Sequence, residues 1–193
     1  MEEVTSLKAS HEEADDRIMF TIQQLYSKDS SSSTTVVTPD ADIFVGLLYH
    51  LKNSWSGMEL FLFKKGNIKG NRSDRIELHP LHLLLPKISP AVVDNLPAGH
   101  SLTGCDTVAK ISTKKNLLNS LDLHGKLITE FGKDRLDEDI IQQAEAFLVK
   151  LVCTKSENFT SFDELRASRY HRNLEKRFVD LPCTSAAIHQ NIR

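Results

Sequence analysis

Thr35-Val36-Val37-Thr38-Pro39-Asp40-Ala41-Asp42 passes from β-branched to rigid to acidic within a few residues. Four β-branched residues in a row, 35–38, suit a short strand buried in a sheet. Pro39 lacks an amide hydrogen and ends the ladder. Two carboxylates, Asp40 and Asp42, follow directly. Ile43 to Leu51 is then strongly apolar and reads as a helix. A strand that feeds a helix through a two-acid turn points to α/β layering, in which strands alternate with helices packed on the sheet.

Working outward, residues 11–28 read as a helix, because Ile18, Ile22 and Leu25 recur at spacings of four and three. Ser10 with Glu13 three residues on has the form of a capping box. The serine-rich stretch at 29–34 reads as a loop. Beyond Gly57, Met58–Phe63 reads as a second strand, 64–74 as a turn rich in Gly, Asn and Lys, and 75–78 as a third strand. Pro80, Pro86 and Pro90 restrict 81–88 to short helical pieces. Helices are expected at 96–103, 114–131, 137–153 and 161–178. The third of these lines Ile140, Ile141, Ala144, Phe147, Leu148, Leu151 and Val152 along one side. The chain after Pro182 lacks periodicity and is expected to be a loose tail.

The 193 residues suffice for one domain with a real core, or one domain and an appendage, and 40% apolar with 26% charged residues is an ordinary soluble balance. A formal charge of −2 excludes a globally basic nucleic-acid binder, so any such surface must be local. Cys105, Cys153 and Cys183 are far apart and make no C-x-x-C pair, which argues against a disulfide framework or a cysteine-rich zinc site. That usage fits a reducing compartment, cytoplasm or nucleus. No apolar run approaches a membrane span, and the polar start, Met1 to Ser10, is unlike a secretory signal.

Three acidic clusters carry the chemistry. Glu12-Glu13-Ala14-Asp15-Asp16 opens a helix, Asp40-Ala41-Asp42 follows a strand, and Thr103-Gly104-Cys105-Asp106 lies in a loop. On an extended segment, residues i and i+2 share a face, so Asp40 and Asp42 can aim together from the carboxyl end of a strand. That end is where open α/β sheets bind ligands. Two close carboxylates repel, and a divalent cation removes the cost. A plainer role exists for each cluster: Asp40, Asp42 or Asp106 as a helix N-cap, and the first cluster as favourable charge at a helix N-terminus.

Taken together, order and spacing resemble a known family. Glu13-Ala14-Asp15 resembles the E-A-E/D of flap endonucleases and their PIN-like relatives. Val36 to Asp42 resembles their strand followed by S/T-x-D-x-D, and Leu102-Thr103-Gly104-Cys105-Asp106-Thr107 resembles their L-x-G-x-D-Y segment. The likeness is closer still to animal proteins linked to mobile elements that carry E-E-A-D, D-x-D and L-T-G-C-D-T. It covers roughly residues 10–110.

The resemblance implies an α/β PIN-like domain at 1–110, with a mostly parallel sheet flanked by helices, then a helical region at 111–181 and the tail at 182–193. It implies metal-dependent phosphodiester hydrolysis on DNA or RNA with two Mg²⁺ or Mn²⁺ ions roughly 3.5–4 Å apart. Glu13 and Asp15 would flank one metal, Asp40 would lie between the two, and Asp42 and Asp106 would serve the second, with Asp40 and Asp42 the catalytic pair. The family also has an N-terminal strand bearing an essential Asp and a further acid, which this sequence lacks. The domain is therefore expected to be incomplete at its N-terminus, with a sheet edge exposed. After Asp106 the family has a glycine-containing turn for backbone phosphate contacts. Here Lys110, Lys114 and Lys115 would make such contacts as side chains. Nucleic acid is the expected partner, with no membrane. The alternative is a non-catalytic remnant that binds nucleic acid or protein, and a third reading is a regulatory domain whose acids hold Mg²⁺ without cleaving anything.

Other candidates have structural readings beside the functional ones. Lys64, Lys65, Lys69, Arg72 and Arg75, and Arg166, Arg169, Arg172, Lys176 and Arg177, form basic groups that either track a phosphate backbone or are solvated faces. His79 and His82 are spaced as a ligand pair, but Pro80 lies between them and no third ligand is near, which favours a structural role. Trp55 and Phe63 are either stacking platforms or core. Cys105 has no His-Asp arrangement to activate it.

Overall fold

Strand β1 (Ser33–Val37) pairs in parallel with β2 (Glu59–Gly66), Val36 opposite Leu62. Parallel neighbours need a crossover, and α2 (Ala41–Asn53) supplies it. β2 then pairs antiparallel with β3 (Arg75–Pro80), from Phe61 opposite Pro80 to Gly66 opposite Arg75, so the order is β1-β2-β3. The computed structural model describes residues 14–66, 75–104, 114–133, 135–153, 157–172 and 182–192. The described sheet is thus mixed, where a mostly parallel one was expected. Only eight residues separate Gly66 from Arg75, too few for the crossover that a parallel neighbour needs.

The chain forms two compact units, Met1–Ser89 and Pro90–Arg193. In the first, α2 buries Ile43, Val45, Leu47, Leu48 and Leu51. Burial on that many sides of one helix makes it the centre of the unit, with Leu60 and Leu62 of β2 also in the core. α1 (Ala14–Lys28) packs on α2 and buries Ile22. After α2 the chain turns through Gly57, whose φ of +89° lies where a side chain would be strained, and Trp55 is 1% exposed beneath the turn. The expected helical pieces at 81–88 are α3 (Leu81–Leu84) and a 3-10 turn, Leu85–Lys87.

The second unit is helical. α4 (Pro90–Thr103) starts earlier than the predicted 96, because a proline is well accommodated in a first turn whose amides lack partners anyway. α5 (Lys114–His124) ends in a 3-10 turn at Gly125–Ile128. α6 (Glu138–Val152) is capped by Asp137, whose side chain accepts from the amide of Ile140. α7 (Phe162–Arg172) and α8 (Ser185–Ile192) pack on α6 and on each other. The fully buried Leu121, Ile128, Phe147, Leu148, Leu165 and Ile188 form the core.

Two expectations change here. Residues 182–193, expected as a loose tail, contain α8, with Ile188 and Ile192 buried. Eight residues are too few to show helical periodicity, and packing on α6 stabilises them instead. The units also divide at Ser89/Pro90 rather than at 110/111, since α4 packs on α5 and belongs with the helices. No described helix is long and apolar enough to cross a membrane.

Candidate functional site

The turn between β1 and α2 is built by two side chains. Thr38 is 7% exposed, and its amide donates to the carbonyl of Phe63, extending the β1–β2 ladder by one residue. Its Oγ1 accepts the amide of Asp40 at 3.0 Å. Asp40 is extended, with φ −76° and ψ 135°, and its Oδ1 accepts the amide of Asp42 at 3.0 Å. Asp40 is therefore the N-cap of α2, one of the structural roles allowed by the sequence, with Asp42 in the first helical turn. The expectation that both acids sit on one extended segment does not hold: Pro39 ends the strand and the helix begins at Ala41. One Asp40 oxygen serves the cap.

α1 and α2 run in the same direction. A Cβ on Gly46 would lie 2.7 Å from Cε of Met19, so the helices touch there. Further along both, Nε1 of Trp55 donates to Oε1 of Gln23 at 2.7 Å, and the Tyr26 hydroxyl donates to the carbonyl of Ser56 at 3.0 Å. Trp55 stacks on His50, with ring centroids 5.0 Å apart, so Gln23 is level with the last turns of α2. Asp15 lies one turn before Met19, and Asp42 one turn before Gly46. Residues four apart share a helix face, so each of these acids lies one turn before the Met19–Gly46 contact on its own helix. Acids in the first turn of each helix suit its positive dipole end.

Glu13 and Asp106, the other two expected metal ligands, lie outside the described residues, as does Lys110. Lys114 and Lys115 are the first two residues of α5. Among the described residues, no three His, Cys, Asp or Glu side chains are grouped to hold a metal ion. The donors at this end of the first unit are carboxylate oxygens, the hard ligands that Mg²⁺ and Mn²⁺ take.

Several other candidates have structural roles. His82 Nδ1 donates to the carbonyl of Leu60 at 3.2 Å and its ring packs edge-on against Phe61, tying α3 to β2. His79 lies 3.5 Å from Glu77 on the same strand. Trp55 is core. On α7, Arg166 donates to the carbonyl of Pro182, and Arg169 to that of Val152 with Glu157 3.7 Å away, so neither is a free phosphate contact. Burial raises the Cys153 thiol above its ordinary pKa and nearby Glu157 adds to the effect, which keeps it unreactive.

One constellation was missed in the sequence. Glu145 of α6 is 4% exposed. Its carboxylate accepts from the amide of Phe162 at 2.7 Å, from Oγ of Ser185 at 2.5 Å and from Nε2 of His189 at 2.6 Å. One buried acid thus ties the start of α7 and one face of α8 to α6. Glu145 and His189 line an open cleft of about 540 Å³, together with Asp139, Gln142, Asp163 and others. The signal was present: Glu145 falls between Ile141 and Leu148 at spacings of four and three, inside the apolar stripe, where a charge is kept only with partners. Comparison with family models, curated proteins and solved structures finds no match.

Proposed function

We propose that this chain is a PIN-like, metal-dependent nuclease domain acting on DNA or RNA, with its site at the N-terminal ends of α1 and α2. The resemblance of Glu13-Ala14-Asp15, Val36 to Asp42 and Leu102 to Thr107 to that family, with Asp40 and Asp42 at the carboxyl end of β1, supports the reading. The carboxyl end of a strand is where an open α/β sheet takes its ligand. By the resemblance, Asp15, Asp40 and Asp42 would be among the ligands of Mg²⁺ or Mn²⁺. Such an ion, when bound, supplies charge stabilisation at the phosphate and activates water. The role of Asp40 is to fix the start of α2, so that the acids share one register. Glu13 and Asp106, the other acids of the family pattern, lie outside the described residues. Lys114 and Lys115 open α5, where the dipole end also favours phosphate.

The test uses labelled single-stranded and flapped DNA, and RNA of the same sequence, with Mg²⁺ or Mn²⁺. Asp40→Asn is the informative variant, because Asn is an equally good N-cap and preserves the turn. Cleavage by the wild type, reduced a hundredfold or more in Asp40→Asn and Asp42→Asn, supports the nuclease. Binding without cleavage in the wild type points instead to the non-catalytic remnant. Absence of both sinks the nucleic-acid reading.

A further inference from the structure

The two edges of the sheet in the first unit differ. β3, at one edge, starts at Arg75, carries Glu77 and His79 3.5 Å apart, and ends at Pro80. Charges and proline on an edge strand keep other strands from joining it. β1, at the other edge, reads Ser33-Thr34-Thr35-Val36-Val37, without charge, proline or bulge. Its hydrogen-bonding groups divide by alternation. Val37 lies opposite Phe63, and the Thr38 amide donates to the Phe63 carbonyl, so the amides and carbonyls of Thr34 and Val36 face β2. Those of Ser33, Thr35 and Val37 face away, and the described residues supply no partner for them. The same three residues are exposed, Val37 by 70%.

We propose that the open edge of β1 pairs antiparallel with β1 of a second copy of this chain, about a twofold axis at Thr35. In that register Thr35 faces its own copy, and Ser33 of each chain faces Val37 of the other. Every outward amide then meets an outward carbonyl, because an antiparallel hydrogen-bonded pair exchanges both groups at alternate residues. A twofold sets the axial residue against itself, where a charge would repel its copy. Thr35 is neutral, and Thr–Thr is a favourable cross-strand pair. A second copy is the occupant that brings a matching unprotected edge with it. The pairing uses that edge on both copies and leaves only the two charged, proline-ended β3 edges, so assembly stops at the dimer. Pairing over one short strand falls well below the roughly 800 Å² per partner of a standard interface, so the dimer is weak and dissociates on dilution. The inference does not rest on the nuclease reading.

The experiment is oxidative cross-linking of the full chain carrying Thr35→Cys, read by the mass of the joined peptides, beside sedimentation of the wild type over a range of concentrations. Cα atoms of a hydrogen-bonded antiparallel pair lie about 5.5 Å apart, within disulfide reach. Thr35→Cys is therefore expected to join two copies through position 35. Ser33→Cys alone is expected not to link, because its copy lies roughly 14 Å away along the paired strands. Ser33→Cys combined with Val37→Cys restores the link. The three native cysteines stay in place, so each yield is read against the unmodified chain. Sedimentation is expected to show self-association that Thr35→Lys, which sets like charges face to face from an exposed position, weakens about tenfold or more. Thr35→Cys that links no better than Ser33→Cys overturns the proposal. So does a wild type that stays monomeric at every concentration, which leaves the edge to a strand from another protein.

Discussion

Met19 of α1 rests on Gly46 of α2 so closely that a Cβ on the glycine would fall 2.7 Å from Cε of the methionine. That contact sets the register between the two helices. Gly46→Ala gains about 1 kcal/mol of helix propensity. It displaces only the far end of a flexible side chain, so urea melts are expected to change by no more than about 1 kcal/mol. Gly46→Leu forces the helices apart and is expected to cost about 1–3 kcal/mol. If the proposed site is correct, that variant also loses cleavage under conditions where it remains folded.

Asp40 has a structural part that can be measured apart from any chemistry. Asp40→Ala removes the acceptor of the Asp42 amide and is expected to destabilise by about 0.5–2 kcal/mol, with Asp40→Asn close to the wild type. Equal melts for Ala and Asn would show that the cap contributes nothing.

Glu145 receives three donors inside the second unit. Glu145→Ala leaves the amide of Phe162 and the Ser185 hydroxyl without their buried acceptor, at about 1–3 kcal/mol for each unsatisfied group. Hydrogen exchange is expected to accelerate first in α8, which the acid holds through two of its residues. Uniform acceleration across α4 to α8 would contradict a local tether.

His50 gives the first unit a dependence on pH. It is half-buried and stacked on Trp55, and burial holds its pKa below the ordinary 6.5. The unfolded chain then binds the proton more readily than the folded one. The stability associated with neutral His50 is full above pH 6.5 and is lost as pH falls through its lower folded value. Glu164, held low by the Thr160 amide and then its hydroxyl, acts only in the more acidic carboxylate range. Urea melts followed by Trp55 fluorescence, the chain's sole tryptophan, are expected to weaken on going from pH 7.5 to 5.5. His50→Gln should flatten that slope. An unchanged slope in the variant would assign it to another group.

Much of the fold was legible because its signals are local. The β-branched run, Pro39 and the acidic turn marked the end of β1 and the start of α2 within a residue or two. The apolar stripe from Ile140 to Val152 located α6. The errors came where a local signal had two meanings. Pro90 read as a breaker and proved to be the start of a helix. Of the turn expected at 64–74, residues 64–66 belong to β2 and the rest lie outside the described residues, and the antiparallel pairing of β3 was not foreseen. At the candidate site, the acids were visible as clusters. Their conformation was not, since an aspartate after a strand serves as well for a cap as for an extended ligand pair.

The sequence by itself determined the strand–proline–cap–helix turn at 35–42 and the amphipathic face of α6, because propensity, capping and periodicity act within one or two turns of chain. Only the tertiary structure decided that Met19 of α1 meets Gly46 of α2, and that Glu145 meets His189 from 44 residues away. Those meetings depend on which apolar stripe packs on which, and at what register. Burial of apolar surface is not directional, so a single chain read in order leaves many such pairings open.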